Sequence, residues 1–272
     1  MAEETQRTPR LWLRLDNAAK LYPAIASMQW TSMFRLSFVM REQVVPAVLE
    51  EAVNQTLVRF PAFRVKLRKG LFWYYLEAID DRFRVCEDIG HPCPPLKHRE
   101  NSGYLFRVKY GEYRISLEMF HALADGTGGL IFLKSIVAQY LRLCGVPVPC
   151  EIGILDPTEK PAQEEMEDAY RKIPLDGVHA SRKEDVAYQM PGTPEPPHTL
   201  HVILAQVSVQ ALKNAAAPYG ATITEYLTAV MLYTLWQTQQ KGHHQTRLPV
   251  KVSVPVNMRK FVPTKTVRNF AF

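Results

Sequence analysis

Cysteine is scarce in this chain: four residues in 272, Cys86, Cys93, Cys144 and Cys150, with no C-x-x-C pair and no neighbouring histidine pattern suited to zinc. That leaves no basis for a disulfide framework or a structural zinc site, and the four read as buried or free thiols of a reducing, cytoplasmic setting. Long apolar runs are missing too. Lys134 interrupts one and Glu225 another, so nothing reaches the roughly 18–20 apolar residues of a membrane-spanning helix. The opening MAEETQRTPRLWLRLD has no apolar signal core. There is no internal repeat, no low-complexity tract, and none of the interleaved basic and aromatic residues that would make nucleic acid a partner. Acid is absent from one stretch: residues 241–272 hold seven Lys or Arg and no Asp or Glu, whereas residues 151–170 hold seven acids and one lysine. Within a net charge of +6, this asymmetry reads either as solvated surfaces, one of them balanced by a partner segment, or as a basic mouth for a phosphorylated substrate.

What is present is an ordinary globular balance, 47% hydrophobic and 22% charged, in a chain long enough for one large or two modest domains. Periodicity predicts a strand over 31–39, an amphipathic helix over 46–59 with Val48, Leu49, Val53 and Leu57 on one side, and paired strands over 63–68 and 71–77 around Lys69-Gly70. A short strand over 82–86 and a hairpin of 104–109 with 112–120 follow. This α/β unit is expected to fill residues 1–150. Residues 151–199, acidic and then rich in proline, read as a crossover linker with one helix near 163–171. A second unit is expected over 200–272, with strands at 200–207 and 248–254 and helices at 209–217 and 222–239 broken by Pro218-Tyr219-Gly220. One strand, two helices and one strand do not readily close a core. The expectation is therefore a truncated second unit, or a short chain completed by dimerisation.

The most informative segment is ISLEMFHALADGTGGLIFLKSIVAQYL, residues 115–141. It reads as strand, polar turn and helix. Thr127 is available as a cap, Leu130, Leu133, Val137, Leu141 and Cys144 recur at helical spacing, and Gly145 and Pro147 supply the stop. The turn spells H-x-x-x-D-G with His121, Asp125 and Gly126. A histidine where a rigid strand meets a helix suits a general base removing a proton from an acceptor hydroxyl or amine. The bland alternatives are a turn histidine bonded to backbone and an aspartate satisfying free helix amides. Among other polar residues, Asp16 and Asn17 read as caps of a short helix opening at Ala18, or as part of a substrate lid. His243-His244 reads as a solvated loop. Phe72-Trp73-Tyr74-Tyr75 reads as an aromatic strand with one exposed face.

The H-x-x-x-D-G turn, the linker, and the downstream SVPVNMR segment together resemble the superfamily of CoA-dependent acyltransferases, which includes chloramphenicol acetyltransferase, alcohol acyltransferases and the condensation domains of peptide synthetases. The opening LDNAAKLYP is similar to bacterial alcohol acetyltransferase-like members. The resemblance implies an α/β fold of the chloramphenicol acetyltransferase type: a two-layer sandwich lobe with a mixed sheet, then a similar second lobe, with a tunnel between them. It implies His121 as general base, Asp125 as a structural residue paired with Arg259, acyl-CoA as donor substrate, and a small alcohol or amine as acceptor. No metal and no tightly bound cofactor are implied. Gly126 is expected to allow close backbone approach, and Lys251 and Lys260 to meet CoA phosphates. Asn269, in an RNF run where some members have glycine-asparagine, is a candidate substrate-binding residue. Phe120 stands where condensation domains carry a first histidine, which favours the alcohol acyltransferase branch over carrier-protein chemistry. A non-catalytic binding lobe is the remaining alternative.

Overall fold

The computed structural model describes residues 11–27, 30–97, 101–151, 153–174, 185–193, 195–196, 199–241 and 247–272. They form two compact units, Met1–Pro174 with Val256–Phe272, and Leu175–Pro255. Packing thus divides the chain elsewhere than at 150 and 199. The last 17 residues, grouped by sequence with a second unit, belong to the first.

The first unit runs β1 (Trp12–Arg14), α1 (Leu21–Ile25), β2 (Met33–Val39), α2 (Pro46–Arg59), β3 (Val65–Lys69), β4 (Tyr74–Ala78), β5 (Cys86–Glu87), β6 (Phe106–Gly111), β7 (Arg114–Phe120) and α3 (Gly126–Leu143). One sheet has the order β1-β4-β3, and the other is mixed, β2-β7-β6-β5, with β5 parallel to β6. Helix α3 lies on β2 and β7, and α2 packs on α3. Pro46 begins α2, where its missing N–H costs nothing and its fixed φ fits the first turn. The core is aromatic: Phe106 is in edge-to-face contact with Phe132 at 5.1 Å and stacked on Phe83 at 4.8 Å.

Strand β7 is central and buried beyond Arg114, on both faces. Its polar residues therefore need partners inside the protein. Glu118 accepts from Arg107 and from the Cys93 amide at 2.9 Å, and Ser116 meets Ser37 at 2.9 Å. Register pairs Leu36 with Leu117 and Met33 with Phe120, so the chain leaves the sheet at His121, whose N–H donates to the Ser32 carbonyl at 2.9 Å.

Several expectations shift. The 63–68 and 71–77 pair is realised as β3 and β4 with a turn between, closed by Gly70 N–H to Trp73 O at 2.8 Å. That turn puts Leu71, Phe72 and Trp73 in solvent (95%, 87% and 69% exposed), so the aromatic run is split between loop and strand. The helix near 163–171 is two 3₁₀ turns, Gln163–Met166 and Ala169–Lys172. The first is anchored by Glu165, whose carboxylate takes Arg59 in two hydrogen bonds. In the second unit α4 (Val209–Ala216) and α5 (Ile223–Lys241) form near the expected bounds. Residues 200–207 and 248–254 form no ladder. Alternation gives a strand its faces, but a strand also needs a neighbour for its backbone groups, and the described residues supply none.

Candidate active site

His121 sits in the turn between β7 and α3, half-buried. Tyr22 of α1 stacks on its ring at 4.4 Å between centroids, and Phe34 of β2 meets it edge-on at 5.1 Å. Burial, with Asp16 and Asp125 nearby, raises the Tyr22 phenol above its ordinary range. The ring nitrogen Nδ1 of His121 lies 3.2 Å from Asn269 Oδ1, a contact across 148 residues of sequence.

Asp125 does two things with one carboxylate. Oδ1 accepts the Gly128 N–H at 2.9 Å, capping α3, so Asp125 and not Thr127 is the cap. Oδ2 accepts Arg259 Nη1 at 2.7 Å and the Phe270 N–H at 2.8 Å. Arg259 also donates to the carbonyls of Thr266, at 3.1 Å, and Arg268. Asn257 ties to Thr127 at 3.3 Å. The VNMRK and RNF segments pair with each other, Asn257 bridging to Ala271. The carboxylate therefore clips both to the helix that starts beside His121. Tyr170 closes the outer side, its hydroxyl donating to Ala271 O and accepting the Ala271 N–H, and burial pushes that phenol up to about 12.

Glycine works here at a different position from the one expected. Gly126 has open space where a Cβ would be. Two residues on, a Cβ on Gly128 would fall 1.9 Å from the Val267 carbonyl oxygen, and one on Gly129 would fall 2.9 Å from the Phe34 ring. Gly128 is what lets the chain carrying Arg268 and Asn269 lie on α3.

Asp16 is not the simple cap it resembles. Oδ1 accepts the Ala19 N–H at 2.8 Å, while α1 begins later, at Leu21, without a side-chain cap. The rest of the carboxylate faces inward, to Asn269 Nδ2 at 3.3 Å and Arg268 Nη2 at 3.4 Å. Burial pushes its carboxyl up to about 6, against the pull of Arg268 and the two hydrogen bonds. Asn17 is exposed. Lys251 donates to the Asp185 carbonyl within the second unit, Lys260 is exposed, and His243-His244 lies outside the described residues.

Two clefts open in the first unit. One of about 930 Å³ is lined by Leu15 and Arg268, chain neighbours of Asp16 and Asn269, and by Trp12, Trp73 and Tyr75. The other, of about 710 Å³, is lined by Phe120, the residue before His121, with Met33, Leu67 and Tyr104. Both are largely apolar and of a size for small-molecule ligands. Among the described residues no group of three or more His, Cys, Asp or Glu is placed to hold a metal ion, and no helix is long and apolar enough to cross a membrane.

Residues 170–271 match the family model for alcohol acetyltransferase. Polyketide synthase associated protein 5 from Mycobacterium tuberculosis shares the fold at a TM-score of 0.58 and 18% identity, over 97% of this chain and 67% of that one. SgcC5 from Streptomyces globisporus, solved with (R)-(-)-1-(2-naphthyl)-1,2-ethanediol and sucrose, shares it at 0.54 and 14%, over 95% and 66%. The chain spans about two thirds of the length of these two. No curated protein matches it by sequence. The two structures show a shared fold, and the match over residues 170–271 supports the resemblance to alcohol acetyltransferases along that stretch.

Proposed function

We propose that this chain acts as a CoA-dependent O-acyltransferase, moving an acyl group, acetyl in the simplest case, from acyl-CoA to an alcohol. The observation that carries this is the contact of His121 Nδ1 with Asn269 Oδ1 at 3.2 Å. With its oxygen, which only accepts, turned to the ring, Asn269 favours the proton on Nδ1 and the lone pair on Nε2. That makes Nε2 the base. It takes the proton of the acceptor hydroxyl as the oxygen attacks the thioester carbonyl carbon. The tetrahedral adduct collapses with cleavage of the C–S bond, and the imidazolium returns its proton to the departing thiolate, giving ester and free CoA. Asp125 and Arg259 act at one remove, holding the turn so that the ring keeps its place. The match of residues 170–271 to alcohol acetyltransferases and the diol in the SgcC5 structure support a hydroxyl acceptor.

The test is thiol release from acetyl-CoA and longer acyl-CoAs with a panel of alcohols and amines, with the product identified by mass. Acceptor-dependent release with an ester product supports the proposal. Amide formed in preference to ester overturns the alcohol assignment. Transfer from an acyl carrier protein thioester with none from acyl-CoA overturns the donor.

A further inference from the structure

The amide of Asn269 can present either end to His121, and the two ends have opposite consequences. Oxygen toward the ring leaves Nε2 as a base; nitrogen toward the ring makes Nδ1 the acceptor, puts the proton on Nε2 and abolishes the base. The choice is made on the far side of Asn269. Its Nδ2 lies 3.3 Å from Asp16 Oδ2. An ionised carboxylate has no proton to donate, so Asn269 must turn its NH₂ toward Asp16 and its oxygen toward the ring. Asp16, Arg268 and Asn269 are 0%, 3% and 1% exposed, so little water competes for these contacts. Arg268 stands 3.4 Å from the same carboxylate oxygen and is itself held by the Arg14 carbonyl at 2.7 Å and the Met166 carbonyl at 3.2 Å. The carboxylate's other oxygen is taken by Ala19 N–H at 2.8 Å, which fixes its orientation.

We propose that Asp16 is a positioning residue that sets the tautomer of His121 through Asn269, in a row Arg268–Asp16–Asn269–His121 that joins the start of the chain to its last residues. In the acyl transfer proposed above, Asp16 touches neither substrate nor the reacting atoms. It decides which ring nitrogen can act. The activity arm rests on the acyltransferase reading; the tautomer does not.

The experiment is a two-bond ¹H–¹⁵N spectrum of ¹⁵N-histidine-labelled protein at pH 8, with the His121 signals identified by their loss in His121→Ala. Wild type should show His121 protonated on Nδ1. In Asp16→Asn a neutral amide can donate to Asn269 and let it turn over, so His121 should shift toward the Nε2–H form, with near-UV circular dichroism unchanged. On the best acyl donor and acceptor, kcat should fall about 10²-fold with KM little altered. Wild-type His121 protonated on Nε2 overturns the proposal, and does so even if the variant fails to fold. A folded Asp16→Asn with the wild-type tautomer also overturns it. If the tautomer switches but wild type transfers no acyl group, the positioning role stands and the acyltransferase reading falls.

Discussion

Helices α3 and α5 are of similar length, 18 and 19 residues, and both carry many apolar side chains, yet they end up in opposite circumstances. In α3, Gly128, Gly129, Phe132, Leu133, Ile136, Val137 and Tyr140 are buried against α2, β2 and β7, and the N-terminus is capped by the carboxylate that also holds Arg259. In α5, Gln239 is the buried residue, while Leu227, Val230, Met231, Tyr233 and Trp236 are 45–58% exposed. A helix's hydrogen bonds are local, but most of its stability in a protein comes from tertiary packing. The candidate chemistry sits in the turn that leads into α3, the helix packed against α2, β2 and β7.

That contrast can be broken by mutation. Asp125→Ala should do most damage. It leaves Arg259, with a side chain 12% exposed, without its carboxylate, a loss of about 3–5 kcal/mol, and removes the cap of α3, about 1 kcal/mol more. Denaturant unfolding would measure both, and activity should fall with them. Glu165→Ala should cost about 3–5 kcal/mol, read by the same denaturant unfolding, because it takes two hydrogen bonds from the buried Arg59 guanidinium and leaves it the exposed Glu159 at 3.9 Å. Gly128→Ala should cost about 1–3 kcal/mol because its methyl meets the Val267 backbone, and it should weaken protection from hydrogen exchange over 266–271, whereas Gly126→Ala should leave both measures near wild type. Met231→Ser, on the exposed face of α5, should change stability by less than about 0.5 kcal/mol. A loss of 2 kcal/mol or more there, by the relation for fully burying an apolar side chain, roughly 1.5–3 kcal/mol, would mean that this face is covered and the contrast is false.

How much of this was legible from sequence follows the same divide. Helix α2 runs over the expected residues because Pro46 marks its start and its apolar residues recur at one period. The hairpin of β6 and β7 lies within two residues of its expected bounds, turning at Glu112-Tyr113, and His121 follows from there. Arg259 reached Asp125 through a family resemblance; nothing local in either segment points to the other. Asp16 shows the limit. Its amide contact at Ala19 is three residues away and gives the sequence reading of a cap, while its partner Asn269 is 253 residues off and invisible to any local pattern. Gly126 and Gly128 are indistinguishable as letters; only the approach of Val267 separates them. The alternating stretch over 200–207 displays the period of a strand, but pairing is a property of two segments, and a single sequence reports only one.

The central claim is that His121 is the base. The most direct measurement is the steady-state rate of His121→Ala beside wild type on the best acyl-CoA and alcohol pair, with thermal unfolding of both recorded in the same buffer. The account predicts a kcat lower by about 10²–10⁴-fold at an unchanged unfolding midpoint. Equal turnover by the folded variant would contradict it.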